Sequence, residues 1–365
     1  MGNTTDVQAF DNLVAENVPL APFTTLGIGG SARFFAEITE TDELKMGVNW
    51  ALERNLPLFV LAGGSNIVVS DSGFAGLVLR ISIRGVEATL SEDEVSLTAG
   101  AGEEWDALVR MTVEKGWAGF ECLSGIPGRV GATPIQNVGA YGQEISETFL
   151  SLEALDRETG AVKRMGPVDC EFGYRVSRFK GRDRGRFIIT RVSYRLRPNG
   201  KPVVRYPELQ RRLSDEGILE PTLEDVRRAV LAIRRRKAMV IDARDRDSRS
   251  AGSFFMNPVV PVAKFRDIRE GFLGTSGDQS MPGFPVDGDR VKLSAAWLIE
   301  HAGFERGYIR GNVGLSSKHV LAIVNRGGGT ASEILGLAME IQTRVRDAFG
   351  LELAPEPVFV GFDPE

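Results

Sequence analysis

The segment LSGIPGRVGATPIQNVGAYGQEI, residues 123–145, is the least ordinary stretch of the chain and the one that decides the fold. It contains five glycines, two prolines and almost no charge, and it is too long for a plain loop. Glycine-rich backbone can bring N–H groups close to phosphate oxygens, while Ile126, Val130 and Ile135 can pack against rings. The segment is therefore suited to wrapping a large, flat ligand that carries a diphosphate.

A second glycine turn lies in LAGGSNIVVSD, residues 61–71, where an apolar run ends in Gly-Gly-Ser-Asn. Paired glycines let backbone N–H groups approach a phosphate closely, and the Ser and Asn side chains add donors. An ordinary tight turn is the alternative, and for this segment alone it is the better interpretation. GIGGSA, residues 27–32, matches a dinucleotide-binding fingerprint, but no buried strand precedes it, so we interpret it as a decoy.

Composition restricts the class of protein. The chain has 365 residues, of which 42% are hydrophobic and 25% are charged, as expected for a soluble globular protein of two or three domains. The net charge of −5 argues against a nucleic-acid partner. No apolar run is long enough to span a membrane, and residues 1–10 lack the pattern of a signal peptide, so we expect a cytoplasmic protein.

Few side chains are available for metal or thiol chemistry. The chain has two cysteines, Cys122 and Cys170, and two histidines, His301 and His319. The cysteines form no Cys-x-x-Cys pair and no zinc pattern, so we expect two free thiols. So few histidines exclude most histidine-based triads and metal clusters, and we expect no metal ion.

Hydrophobic periodicity predicts helices that carry an apolar stripe or terminal signals. Over residues 41–55 the predicted stripe consists of Leu44, Val48, Ala51 and Leu52. A second helix is predicted over residues 103–115, with Gly116 as a stop signal. A third is predicted from Leu223 to about Lys237, with Thr222 and Asp225 as a capping box. A last helix is predicted after Thr330, with Glu333 in its first turn and Gly350 beyond its end.

Apolar runs predict strands within residues 56–66, 77–82, 95–100 and 186–197. The alternation of such strands with helices predicts an α+β protein of at least two modules. We place domain boundaries near residues 80 and 237.

Five motifs then occur in order along the chain: GGSN, IPGRVGATPIQNVGAYG, FGYRVSRFK, GSFFMNP and PEPVFVG. From about Leu20 to Gly361 they closely resemble the UDP-N-acetylenolpyruvoylglucosamine reductase family of bacterial peptidoglycan synthesis. The segment VVRYPELQ, residues 203–210, resembles the tyrosine-bearing loop of the first of the two enzyme types in that family. The order and number of the motifs make this resemblance specific.

The resemblance implies a FAD-binding fold of the vanillyl-alcohol-oxidase type with two α/β subdomains, residues 1–80 and 81–237, and an α+β substrate-binding domain, residues 238–365. It also implies non-covalent FAD, NADPH as reductant, a UDP-sugar substrate and a monomer. That flavin fold does not use the dinucleotide fingerprint. The FAD-binding residues implied by the match are Gly63, Gly64, Ser65, Asn66, Pro127, Gly128, Gly131, Thr133, Gln136, Asn137, Gly139 and Ala140.

The implied reaction reduces an enolpyruvyl ether to a lactyl ether. Hydride passes from flavin N5 to the vinyl carbon, and charge then develops on the adjacent carbon and its carboxylate. Arg175 matches the family arginine, whose guanidinium fork is suited to a carboxylate, although a surface arginine is the alternative. Glu356 matches the family's C-terminal catalytic glutamate, which can hydrogen-bond the charge when protonated, although an exposed tail residue is the alternative.

The remaining catalytic group implied by the resemblance is a serine. Ser253 matches the family serine that protonates the carbon, and the apolar Phe254 and Phe255 can help to exclude water. Ser250 has no such counterpart, so we interpret it as a turn or cap residue.

Substrate contacts are also implied. In IRRRKAMV, residues 233–240, the resemblance assigns Arg234 and Lys237 to the substrate diphosphate, although a solvated helix end is the usual explanation for such a cation run. Tyr206 matches the residue that closes over the nucleotide, and Tyr141 and Asn257 are expected to contact substrate.

Two other functions remain open. One is a flavin oxidase of the same fold, which would often attach FAD covalently through His, Cys or Tyr. The other is a non-catalytic nucleotide-sugar binder, which would normally have lost Arg175, Ser253 or Glu356, all of which are present. Residues 281–290, MPGFPVDGDR, match no ligand role.

Overall fold

The structure is a computed structural model that describes residues 9–276, 281–286 and 288–362. Residues 1–8, whose sequence lacks a signal-peptide pattern, lie outside the described residues. The chain forms two compact units. Unit 1 contains the residues up to Val18, Ala32–Gly64 and Phe74–Val240, and unit 2 contains Pro19–Ser31, Ser65–Gly73 and the residues from Ile241 onward. The predicted three-part division at residues 80 and 237 stays a prediction.

The first sheet of unit 1 is a four-stranded sheet with order β1-β2-β5-β3. Strands β2 and β3 both pair in parallel with the central strand β5. Leu77, Val78 and Leu79 of β5 are fully buried, as expected for the middle of a parallel sheet. The bounds are β1 Ala15–Pro19, β2 Ser31–Ile38, β3 Leu58–Leu61 and β5 Phe74–Ile81, and helix α1, Thr41–Glu53, connects β2 to β3.

Helix α1 corrects one detail of the predicted apolar stripe. Leu44 and Ala51 are buried as predicted, together with Gly47 and Trp50, but Leu52 is 74% exposed. At 3.6 residues per turn, Leu52 lies about 140° around the helix axis from Gly47, which is the centre of the buried face. The prediction for Leu52 is therefore wrong, because the buried face turns toward Trp50.

The second sheet of unit 1 is antiparallel, with order β12-β11-β13-β7-β6, and β8 also pairs with β13. Trp105, Phe120 and Tyr194 pack together in its core with ring centroids 4.9 to 6.0 Å apart. A separate hairpin consists of β9, Gly139–Ala140, and β10, Gln143–Glu144. The bounds are β6 Val86–Leu90, β7 Val95–Gly100, β8 Trp117–Ala118, β11 Phe149–Asp156, β12 Val162–Met165 and β13 Phe187–Pro198.

The helices of unit 1 after α1 are α2 Trp105–Glu114, α3 Pro167–Cys170, α4 Pro207–Asp215 and α5 Leu223–Arg236. The predicted helices over residues 103–115 and 223–237 are confirmed. Thr222 Oγ1 accepts from the Asp225 N–H at 3.1 Å, and Asp225 accepts from the Thr222 N–H at 3.0 Å, so the predicted capping box is present.

Unit 2 contains two three-stranded antiparallel sheets and one parallel strand pair. The pair joins β4, Ile67–Val69, to β20, Val358–Val360. Within residues 281–290, Gly283–Val286 form strand β15 and Arg290 begins strand β16, which pairs with β15. The other bounds are β14 Val259–Pro261, β15 Gly283–Val286, β16 Arg290–Leu293, β17 Ile309–Arg310, β18 Val313–Leu315, β19 Ile323–Asn325, α6 Val262–Ser276, α7 Ala295–His301 and α8 Ala331–Phe349.

Helix α8 confirms the predicted signals at both ends. Thr330 and Glu333 form a capping box, and Gly350 follows the helix with a left-handed φ of 62°. Its buried face, from Ala331 to Phe349, packs in the core of unit 2.

The glycines of GIGGSA lead into strand β2 rather than into a helix. A Cβ on Gly29 would lie 2.5 Å from the Val69 Cβ, and one on Gly30 would lie 2.4 Å from the Asp71 carbonyl oxygen. These glycines therefore permit close packing against residues 69–71, which confirms that the fingerprint is a decoy.

Candidate active site

The two predicted glycine segments meet within unit 1. A Cβ on Gly63 would lie only 2.6 Å from the Gly128 Cα. Gly64 and Gly128 have φ values of +61° and +124°, which glycine adopts without strain. The junction of the segments is therefore bare backbone, which is the kind of surface that can approach a diphosphate closely.

The start of segment 123–145 is fixed by a partly buried ion pair. The Asp106 carboxylate accepts the Gly125 N–H at 2.5 Å and two bonds from Arg227 at 2.7 and 2.9 Å. Burial alone would raise the pKa of Asp106, but the bonds from Arg227 and Gly125 outweigh it and hold the pKa below its usual value. Helices α2 and α5 thus hold the loop through one carboxylate.

The middle of the segment is joined to the end of strand β7. The Gly131 N–H donates to the Ala101 carbonyl at 2.9 Å, and the Val130 N–H donates to the Glu103 carbonyl at 2.9 Å. A Cβ on Gly131 would lie 2.5 Å from the Ala101 Cβ, so only glycine fits this approach.

Among the predicted FAD-binding residues, Thr133 and Asn137 hold the loop together through their side chains. Thr133 donates to the Val130 carbonyl at 2.8 Å, and its hydroxyl lies 2.9 Å from the Tyr194 hydroxyl. Asn137 is buried, has a left-handed φ of 45°, and donates to Glu144 at 2.7 Å and to the Gly173 carbonyl at 3.1 Å. The remaining predicted FAD-binding residues with side chains are half-buried: Ser65, Asn66, Pro127, Gln136 and Ala140.

Arg175 lies in a tight turn with an unusual backbone. Gly173 and Val176 exchange backbone hydrogen bonds of 2.9 and 3.1 Å across the turn. Arg175 has a φ of +57°, a conformation that favours glycine or asparagine. Strain of this kind at a non-glycine residue is typical of functional sites. The guanidinium donates to the Gly139 carbonyl at 2.9 Å, which brings Arg175 beside the predicted FAD loop.

Tyr141, Tyr206 and Arg234 form a polar and aromatic cluster in unit 1. The Tyr141 and Tyr206 rings meet edge to face with centroids 5.5 Å apart. Burial raises the pKa of Tyr141 to about 12 even though Arg234 hydrogen-bonds its hydroxyl. Burial also lowers the pKa of Arg234. The Arg234 Nε is buried and has no hydrogen-bond partner among the described residues, although Nη2 donates to the Met239 carbonyl at 2.7 Å.

The other predicted diphosphate ligand, Lys237, has an acidic partner. Its Nζ lies 2.6 Å from Glu208 Oε2 in the first turn of α4. Lys237 is the residue that follows the last turn of α5, and the next residue, Ala238, has a left-handed φ of 53°. The structure thus brings together three of the predicted substrate-binding residues in unit 1, Tyr141, Tyr206 and Arg234, and places Lys237 one helical turn from Arg234.

Within unit 2, the structure brings Ser253 and Glu356 into adjacent segments. Phe255 and Pro355 form an antiparallel bridge, and the Glu356 N–H donates to the Phe254 carbonyl at 2.9 Å. The side chains of Phe254 and Phe255 are buried in the core of unit 2. The Ser253 hydroxyl, which is half-buried, makes no hydrogen bond to any residue that the structure describes.

Neighbouring side chains differ from Ser253 in this respect. Ser250 Oγ accepts the Gly252 N–H at 3.2 Å, which confirms its interpretation as a turn residue. The side-chain carbonyl oxygen of Asn257 accepts the Ala295 N–H at 2.9 Å at the start of helix α7, which orients the amide group of Asn257. Asn66 Nδ2 donates to the Glu356 carbonyl at 3.3 Å, which places a predicted FAD-binding residue beside a predicted catalytic one.

Glu121 is a buried residue next to the proposed substrate-binding tyrosines that the sequence analysis did not single out. It is 1% exposed and accepts from the Gly119 N–H at 2.8 Å, Gln143 Nε2 at 2.7 Å and the Val203 N–H at 3.1 Å. Gln143 follows Tyr141 by two residues, and Val203 precedes Tyr206 by three. A glutamate inside the apolar run GFECLSG is a signal that could have suggested a buried hydrogen-bonding role.

Both cysteines are free, as predicted, and both are buried. Burial raises the pKa of both thiols, that of Cys170 to about 12. In the described part of the chain, no three His, Cys, Asp or Glu side chains are grouped to hold a metal ion. Nor is any described helix both long and apolar enough to cross a membrane.

Comparison with known proteins first defines the class. Residues 32–166 match the family model of the FAD binding domain. Residues 244–360 match the family model of the UDP-N-acetylenolpyruvoylglucosamine reductase C-terminal domain. The chain is therefore a flavoprotein with a FAD-binding part and a C-terminal domain of a reductase type.

Full-length relatives then define the family. A UDP-N-acetylenolpyruvoylglucosamine reductase from Thermobifida fusca is 47% identical over 95% of this chain and 98% of its own length. One from Saccharopolyspora erythraea is 46% identical over 93% of this chain and 94% of its own length. The chain belongs to the UDP-N-acetylenolpyruvoylglucosamine reductase family, which confirms the sequence resemblance.

A solved structure of the enzyme of that name from Thermus caldophilus shows the same fold. It is 24% identical, with a TM-score of 0.63 over 94% of this chain and 98% of the other. Together with the FAD binding domain match, this likeness confirms the predicted fold class.

Proposed function

We propose that this protein catalyses the NADPH-dependent reduction of UDP-N-acetylenolpyruvoylglucosamine to UDP-N-acetylmuramate in peptidoglycan synthesis, with non-covalent FAD. The observation that carries the proposal is the 47% identity to a reductase of that name across 95% of the chain. We also expect a monomer that acts in the cytoplasm, and a three-part division into residues 1–80, 81–237 and 238–365.

The residues of unit 1 fit FAD. A Cβ on Gly63 or Gly131 would overlap neighbouring backbone or side-chain atoms, so the loop is bare where a diphosphate needs to approach. Gly63, Gly64 and the loop from Pro127 to Ala140 would hold the cofactor. When bound, FAD supplies the hydride that reduces the substrate double bond. Because Thr133 and Asn137 are engaged within the protein, we assign them to the shape of the loop and the backbone to the cofactor contact.

Arg175 and Glu356 stabilise the charge that develops on the substrate carboxylate. The guanidinium of Arg175 keeps its charge and donates to the Gly139 carbonyl, which places it beside the loop that would hold FAD. The strained φ of Arg175 supports a functional role, because a glycine would occupy this turn position without strain. Glu356 in its protonated form donates a hydrogen bond to the same charge.

Ser253 donates the proton to the carbon that becomes carbanion-like. Its hydroxyl is not committed to a bond with the described residues, in contrast to Ser250, and the buried Phe254 and Phe255 fix the backbone on its C-terminal side. A serine is a weak acid, but an enediolate-like intermediate is a strong base, so the transfer needs only a well-placed hydroxyl.

The substrate contacts are Arg234 and Lys237 with the diphosphate, Tyr206 over the nucleotide, and Tyr141 and Asn257. The unpartnered Nε of Arg234 supports this assignment, because a buried cationic nitrogen without an acceptor favours an anionic ligand.

The test is made on purified protein with its bound cofactor. Acid precipitation should release FAD into the supernatant, and NADPH should reduce the flavin without oxygen. Addition of UDP-N-acetylenolpyruvoylglucosamine should then restore the oxidised flavin band and form UDP-N-acetylmuramate. Flavin that stays with the precipitate and is reoxidised by oxygen alone would favour the oxidase, and flavin that the UDP-sugar does not reoxidise would refute the proposal.

A further inference from the structure

The ion pair between Lys237 and Glu208 involves a residue that the proposed reaction does not use. The Lys237 Nζ and Glu208 Oε2 atoms are 2.6 Å apart, and the side chains are 34% and 26% exposed. This partial burial makes the pair stronger than a fully exposed one. Glu208 also lies in the first turn of α4, where the helix dipole favours a negative charge.

The pair closes a ring of contacts within unit 1. Glu208 follows Tyr206 by two residues, and the Tyr206 ring contacts the Tyr141 ring at 5.5 Å. Tyr141 in turn hydrogen-bonds Arg234, which precedes Lys237 by three residues at the end of α5. Movement of Glu208 away from Lys237 therefore affects the start of α4 and the position of Tyr206.

The cations in this ring are not equivalent. The buried Nε of Arg234 has no partner among the described residues, whereas Lys237 already has a carboxylate. A diphosphate that binds both cations must either displace Glu208 or bring a second negative charge beside it. Two anions at one ammonium repel each other, so displacement is favoured.

We propose that Glu208 is an internal anion that occupies Lys237 in the ligand-free enzyme and that the diphosphate of the UDP-sugar replaces it. The inference rests on the proposed function, which assigns Lys237 to that diphosphate. Glu208 is then a specificity-determining residue, because ligands without a diphosphate cannot compensate for the lost ion pair.

The sign of one mutational effect separates this role from a structural one. If Glu208 only holds Lys237 in place, its loss weakens ligand binding or leaves it unchanged. If Glu208 competes with the diphosphate, its loss strengthens binding. Glu208→Gln keeps the size and hydrogen-bonding ability of the side chain and removes the charge.

The experiment measures binding of UDP and of uridine to the FAD-loaded enzyme by titration calorimetry. Glu208→Gln should lower the Kd for UDP by about fivefold, the effect of one partly exposed ion pair, and leave uridine binding unchanged. In a Lys237→Met background the same change should have no effect. Glu216→Gln, which removes a carboxylate paired with Arg212 at the other end of α4, is the matched control and should bind UDP as the wild type does.

Unchanged or weaker UDP binding by Glu208→Gln would overturn the inference, as would equal strengthening for uridine. Either result, obtained with a wild type that binds UDP and reduces the UDP-sugar, would leave the proposed function intact. A wild type that binds no UDP and does not turn over would instead overturn both.

Discussion

Arg175 of unit 1 and Ser253 of unit 2 are held in place by different forces. Arg175 lies in a turn with a left-handed backbone, and bonds to Gly139 and from Asn137 to Gly173 fix that turn. Ser253 precedes Phe254, which is completely buried among apolar side chains of unit 2. Unit 1 therefore positions its proposed catalytic group by polar bonds and strained backbone, and unit 2 positions its proposed catalytic group by apolar packing.

This difference has a consequence for how each region responds to substitution. A polar network fails when one acceptor is lost, because the remaining donors stay buried and unpaired. An apolar core fails when volume is lost, because the surrounding side chains do not fill the cavity completely.

The largest effect is expected in unit 2. Phe254→Ala should reduce the free energy of unfolding by about 3 to 5 kcal/mol, because it leaves a cavity beside Phe255 and Phe359. Urea denaturation measures it, and Phe284→Ala, at an exposed phenylalanine of the same unit, is the control. A loss below about 1 kcal/mol would mean that packing does not hold Ser253.

Two substitutions of Arg175 measure its contribution to activity and the strain of its backbone separately. Arg175→Ala and Arg175→Gly should both lower kcat by about 10²- to 10³-fold, as when one charge-stabilising donor is removed. The glycine variant should nevertheless be more stable than the alanine variant by about 1 kcal/mol, because the φ of +57° costs alanine and not glycine. Steady-state kinetics and thermal unfolding of the two variants give both values. Equal stability would show that the turn relaxes and stores no strain.

Glu121 tests the polar network directly. In Glu121→Gln one of the three N–H donors meets an amide N–H instead of an oxygen, which should cost about 1 to 3 kcal/mol of stability. Because Gln143 and Val203 lie close in sequence to Tyr141 and Tyr206, KM for the UDP-sugar should rise more than kcat falls. Glu94→Gln, which breaks an exposed ion pair with Arg195, is the control. A variant with wild-type KM would remove Glu121 from the positioning of the tyrosines.

The smallest expected effect is on the stability of the protein at low pH. Asp156 is buried and accepts from Arg186 and Lys163, and these bonds hold its pKa well below the usual range. Because the folded-state pKa is depressed, the stabilisation is complete above the ordinary aspartate pKa of about 3.9 and is lost as pH falls below it. Asp156→Asn should therefore be less stable than wild type by about 1 kcal/mol at pH 7. Urea midpoints between pH 7 and pH 3 should show the difference shrinking below about pH 4. A constant difference would contradict the ion-pair account.

Local signals predicted much of this fold. The capping boxes at Thr222 and Thr330 and the glycine at position 350 fixed helix ends that the structure confirms. The glycine segments at 61–71 and 123–145 stand out in the sequence by their glycine content, and the structure shows the close approaches of Gly63 to Gly128 and of Gly131 to Ala101 that need it.

Contacts between distant residues could not be predicted in this way. Residues 65–73 belong to unit 2 because strand β4 pairs with β20, and Asn66 bonds a residue 290 positions away. The ion pair of Glu208 with Lys237 and the role of Glu121 also depend on tertiary contacts between separate segments. No local pattern of hydrophobicity or capping carries that information, and Leu52 was misplaced because the position of Trp50 set the buried face.

The central claim is that Ser253 protonates the substrate. Stopped-flow absorbance of the flavin band in Ser253→Ala tests it by measuring the two half-reactions separately. Reduction by NADPH should proceed at near the wild-type rate, because that step needs no proton from this hydroxyl. Reoxidation by UDP-N-acetylenolpyruvoylglucosamine should slow by on the order of a thousandfold or more, within or beyond the usual range for a general acid. Ser253→Cys should recover part of the rate. Equal slowing of both half-reactions would make Ser253 a packing residue, and an unchanged reoxidation rate would contradict the claim and make Glu356 the first candidate for the proton donor.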